Sequence, residues 1–168
     1  RRLLFKRQIS VGLALSITLA VPAAARDSLG MYDNWGAFRD PAVPRCYAVA
    51  RAEPSRHPGD YRPYADVASW PRRGLRGEVH FRLSRHIAPN TPITLAIGGQ
   101  HIGLVGGGGD AWVADPRQNA ALIAAMRFNP WMSVVAKGRD NRAFVDTWKL
   151  SGAASAMDSA AVGCAELH

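Results

Sequence analysis

The chain has 168 residues, with 21 Lys+Arg against 13 Asp+Glu, a formal net charge of +8 and two cysteines. That length suits a single domain with ample material for one core and excludes a mini-protein that depends on staples. Composition is ordinary for a globular protein except for 16 Gly and 11 Pro, which favour many short elements joined by turns.

Residues 1–25 read as an export segment. Arg1, Arg2, Lys6 and Arg7 form a basic start, residues 9–21 are uncharged and mostly apolar, and Ala23-Ala24-Ala25 supplies a small-residue cleavage pattern. The uncharged run 8–25 also approaches the length of a spanning helix, so a retained N-terminal membrane anchor is the alternative to a cleaved signal peptide. The segment holds four basic residues and no acidic one, so without it the formal charge falls from +8 to +4. The remainder is only mildly basic, and no nucleic-acid partner is expected. Residues 26–168 are expected to form one domain. Cys46 and Cys164 are the two cysteines, with no Cys or His near either at metal-ligand spacing. In an oxidising compartment such a pair predicts a disulfide.

Residues 27–40 open the domain, with Trp35 and Phe38 as expected anchors on a sheet. Cys46–Ala50 reads as a short strand after Pro44. Residues 51–77 are irregular, with Pro54, Pro58, Pro63 and Pro71 set among arginines and aromatics. They are expected to form a long surface loop and the contact surface of the protein, carried by Arg56, Tyr61, Arg62, Tyr64, Trp70, Arg72 and Arg73. Glu78–Arg85 alternates, placing Val79, Phe81 and Leu83 on one face and His80, Arg82 and Ser84 on the other, as in a half-buried antiparallel strand. Residues 93–99 and 100–105 read as a strand pair turned by Gly98-Gly99. The run Gly106–Gly109 lacks the following helix and the Lys of a phosphate loop, so a hairpin tip is expected. Asp115-Pro116 opens a helix as cap and first residue. Residues 131–136 and 143–150 form a hairpin in which Phe144, Asp146 and Trp148 share a face. Ser151 is expected to cap a final helix over 152–162.

No arrangement of chemistry-bearing residues points to an enzyme. The serines include no G-x-S-x-G, the five histidines include no H-x-x-x-H, and Asp140, Asp146 and Asp158 read as solvated. No catalytic residue, metal or cofactor is expected.

The order of the elements resembles the invasion-associated locus B family of exported alphaproteobacterial proteins. The matching pieces are Trp148-Lys149-Leu150-Ser151-Gly152, the Ala153–Met157 run and Cys164, with Trp35-Gly36-Ala37-Phe38 and Arg45-Cys46-Tyr47 upstream. The chain departs from the family's layout in lacking further cysteines around its central helix and in the proline- and arginine-rich stretch 51–77, as a divergent member would. The resemblance implies a mainly β domain without known enzymatic activity, in the periplasm or on the outer surface of a Gram-negative bacterium. The expected fold is an antiparallel β-sandwich or partly closed barrel with two short helices, one near the C-terminus. The expected role is a non-catalytic binding module for a protein or an anionic envelope component. The alternative is an accessory subunit of a larger membrane assembly, anchored in the inner membrane and facing the periplasm.

Overall fold

The computed structural model describes residues 26–57, 59–165 and 167. The expected export segment 1–25 lies outside the described residues, and among these no helix is long and apolar enough to cross a membrane.

Strands dominate, as the Gly- and Pro-rich composition predicts. They are β1 (Asp27–Tyr32), β2 (Trp35–Asp40), β3 (Arg45–Arg51), β4 (Tyr64–Trp70), β5 (Leu75–Arg82), β6 (Ile93–Ile97), β7 (Gln100–Gly107), β8 (Asp110–Trp112), β9 (Trp131–Lys137) and β10 (Ala143–Lys149). Helix α1 (Pro116–Met126) separates β8 from β9, and α2 (Ala153–Cys164) follows β10. All neighbours pair antiparallel in the order β1-β2-β3-β4-β5-β8-β7-β6-β9-β10. The sheet is not closed, yet it curls far enough for its halves to face each other. Phe81 on β5 meets Trp148 on β10 with ring centroids 5.4 Å apart.

The alternation within strands sorts the two faces. Trp35, Ala37, Cys46, Ala48, Ala65, Val67, Val79 and Phe81 point inward and are buried. Leu95, Met132, Val134, Phe144 and Trp148 meet them from the other half. Helix α2 packs across β1, β2 and β3, and α1 sits over the start of β5. Asp115 caps α1 as expected, its carboxylate accepting from the backbone N–H of Arg117 and Gln118 at 2.8 Å. The Cys46 and Cys164 sulfurs are joined across a sequence separation of 118, tying β3 to α2.

The turns follow their residues. Gly98 and Gly99 take φ of 54° and 77° between β6 and β7, the paired left-handed conformation of a two-residue hairpin. The glycine run is a hairpin tip in part, since Gly106 and Gly107 belong to β7 and Gly108-Gly109 make the turn. The turn's carbonyls are used: Gly109 O accepts from Leu83 N at 2.7 Å and Gly108 O from Ile87 N at 2.6 Å.

Three expectations are corrected. Residues 51–77 are not one loop, because β4 and the first residues of β5 lie within them, joined by a 3-10 turn at Pro71–Arg73. Pro63 and Pro71 bracket β4 rather than break it, each standing where no ladder N–H is required. Ser151 does not cap α2; its hydroxyl donates to Asp33, and Gly152 holds the cap position at φ 87° with no side-chain cap. Asp146 is not solvated but buried, where it accepts from Ser84 N at 2.7 Å. Burial pushes its pKa up, and the Ser84 hydrogen bonds and the charge of Arg85 only partly offset this. A carboxyl with a raised folded-state pKa costs stability while ionised, and that cost eases as pH falls through the raised value.

Two changes test these ties. A Cβ at Gly152 would stand 1.9 Å from the Tyr32 carbonyl, on a left-handed backbone. Gly152→Ala is therefore expected to lower the unfolding free energy by about 2 kcal/mol or more in denaturant titration. The paired change Cys46→Ala with Cys164→Ala is expected to cost about 2–4 kcal/mol. Reducing the unaltered protein should reproduce that loss.

Candidate functional site

The outward face of β2–β3–β4–β5–β8 carries the chemistry. The inward residues of β4 alternate with Tyr64, Asp66, Ala68 and Trp70, which turn outward. The register sets Asp66 beside His80 on β5, and His80 beside Trp112 on β8. His80 Nδ1 lies 2.8 Å from Asp66 Oδ2 and Nε2 lies 3.0 Å from Asp110 Oδ1. The second oxygen of Asp110 takes Arg82 at 3.1 Å. The His80 ring packs against Trp112 at 5.0 Å between centroids, and against the edge of Tyr64 at 5.7 Å.

Burial opposes a charge on His80, but hydrogen bonds and charge from Asp66, then Asp110, overcome it and raise the pKa above the ordinary imidazole value. When protonated, the ring donates from both nitrogens and is clamped between two carboxylates, joining three strands. The carboxylates meet the two nitrogens of the ring. No group of three or more His, Cys, Asp or Glu among the described residues is arranged to hold a metal ion.

Beside this chain of charges, a cleft of about 780 Å³ opens over β2, β3 and β4. Phe38, Val49 and Tyr64 line its floor and wall, and Arg51, Arg62, Glu53 and Asp33 stand around it. Gly36 leaves the floor low, since a Cβ there would meet the Phe38 ring at 2.7 Å and the Met31 sulfur at 2.9 Å. Both acids are engaged elsewhere, Glu53 with Lys149 at 3.6 Å and Asp33 with the Ser151 hydroxyl. The guanidinium groups of Arg51 and Arg62 have no partner among the described residues. The cleft therefore presents two guanidinium groups without an ion-pair partner among the described residues, beside half-buried aromatic rings.

The seven expected contact residues do not form one patch. Arg62 and Tyr64 reach the cleft, and Arg56 stands exposed in the preceding segment. The ring of Tyr61 lies under Arg82 at 4.9 Å, with its hydroxyl 3.0 Å from His86 Nδ1. Trp70, Arg72 and Arg73 sit at the far end of β4, about 20 Å away by strand rise. Asp66, Asp110 and Trp112 escape a reading of the sequence because their partners arrive from other strands. The available signal was the alternation of Tyr64-Ala65-Asp66-Val67, directly after Pro63.

His80 supplies a test. Its contribution is whole below the ordinary imidazole pKa of about 6.5 and is lost as pH rises through the raised value. His80→Gln is expected to lower stability by about 2 kcal/mol near pH 6. The deficit should shrink as pH is raised, and thermal melts across pH would read both. A deficit independent of pH would show that the ring is held by packing and not by charge. No family model, curated protein or solved structure matches the chain.

Proposed function

We propose that the protein is a non-catalytic binding module of a Gram-negative cell envelope, of the invasion-associated locus B type, that holds an anionic polysaccharide in the outer-face cleft. The observation that carries this reading is the pair Arg51 and Arg62, without an ion-pair partner among the described residues and set beside Phe38 and Tyr64, while the nearby acids bond elsewhere. Guanidinium forks match carboxylates, and aromatic faces suit the apolar faces of sugar rings. The Cys46–Cys164 pair and the apolar run 8–25 support an oxidising compartment reached by export. The resemblance of the Trp148–Gly152 step and the closing helix supports the family.

The same apolar run, with basic residues ahead of it, supports a second reading in which residues 1–25 remain as an inner-membrane anchor and the domain is an accessory subunit facing the periplasm. Intact mass of the protein from its own cells separates the two. A chain beginning at Arg26 supports the first; a chain still carrying residues 1–25 supports the second and sinks a freely diffusing module.

Polygalacturonate serves as the probe for the cleft. Saturable binding is expected, weakened by salt, and Arg51→Ala with Arg62→Ala should weaken it at least tenfold. Binding that survives the double change would remove the cleft from consideration.

A further inference from the structure

We infer that a second site, on the inward face of the sheet, takes a single-chain amphiphile with a carboxylate head, such as a free fatty acid. Helix α2 lies chiefly across β1, β2 and β3 and only touches β4, while α1 sits over the start of β5, which leaves a gap between the two helices beside Val67. A groove of about 590 Å³ opens there, within the size range of small-ligand sites. Val67, Ile123, Met157 and Ala160 make its apolar wall, and the Cys46–Cys164 disulfide closes its depth. It is separate from the cleft because Val67 and Tyr64 lie on opposite faces of β4.

The charge of the groove commits it to one kind of occupant. Its lining contains Arg76 and Arg127 and no carboxylate among the described residues. Arg127 gives one N–H to Asp158 at 2.7 Å, which leaves further donors on the same guanidinium. Arg76 is exposed, and its guanidinium has no partner among the described residues. A hydrocarbon chain in the groove takes its own apolar surface and that of the wall out of water. A carboxylate at its end meets Arg76, with Arg127 beside it, in the planar geometry that guanidinium favours. A neutral chain would leave the Arg76 guanidinium without a partner among the described residues.

The test is titration of the purified protein with a dansyl-tagged undecanoate, followed by competition with dodecanoate. One equivalent should bind with micromolar affinity and be displaced by dodecanoate. Arg76→Ala should weaken it about tenfold. Ala161→Phe, at an exposed position of α2 lining the groove, should abolish it while the melting temperature and polygalacturonate binding stay unchanged. Absence of saturable uptake would overturn the inference. So would equal competition by dodecanol, which would show that the head group is not read. Tighter competition by dodecyl phosphate would overturn the carboxylate assignment. A change in oligomeric state on Ala161→Phe, with uptake intact, would make the groove a self-association surface instead.

Discussion

The indole of Trp35 donates to the Lys149 carbonyl at 2.9 Å, and much of the architecture depends on that bond. An open antiparallel sheet has two edges, and an edge strand with unused carbonyls invites another chain to pair with it. Here Lys149 gives its carbonyl to Trp35 on β2, and Thr147 gives its own to Glu53 N at 2.8 Å, just after β3. The two halves of the sheet are thereby held face to face without a continuous ladder between β1 and β10. Trp35 is wholly buried, so the same side chain supplies apolar contact and the polar tie. The disulfide repeats the logic at the other end of the interior, linking β3 to α2.

That enclosure divides the polar groups into two kinds. Beside the cleft on the outward face, Asp66, His80, Asp110 and Arg82 form one connected row across β4, β5 and β8. Inside, Asp146 is held by a backbone amide, and the indole N–H of Trp148 has no hydrogen-bond partner among the described residues. Their pH responses run in the same direction. The outward imidazolium favours folding as its proton is retained, and so does the buried carboxyl, but their protons leave in different pH ranges. Stability is thus drawn toward the acid side of neutrality by two unrelated sites.

Features set by local chemistry were legible in the sequence. The alternation of Val79, Phe81 and Leu83, the Gly98-Gly99 turn, the Asp115 cap and the buried Trp35 depend on neighbours a few residues away, and each stands where residue type predicts. The mainly β fold follows from the same kind of evidence, and the Cys46–Cys164 pairing was legible from an even cysteine count beside an export segment. Features set by distant contacts were not legible. Nothing near Asp146 announces that Ser84 will cover it, and nothing near Ser151 announces that Tyr32 will press a carbonyl against Gly152. Strand β4 was hidden for a different reason, because Pro63 and Pro71 read as interruptions when they are its boundaries. With β4 unread, Asp66 had no face, and the row of charges through His80 had no first member.

The placement of the joining contacts has a consequence for how the chain reaches this state. Trp35 must find Lys149, and Cys46 must find Cys164, so the earliest described strands await the latest segments. A growing chain can pair β1 through β5 among themselves, but their inward face stays wet until β9, β10 and α2 exist. Assembly is therefore weighted toward the finish of synthesis, and a prematurely ended product would display a half-sheet with a bare apolar side. Such long sequence separations slow folding and lengthen the interval in which strands can find the wrong neighbour. A chain built this way has reason to be shielded by a helper until its last helix is in place.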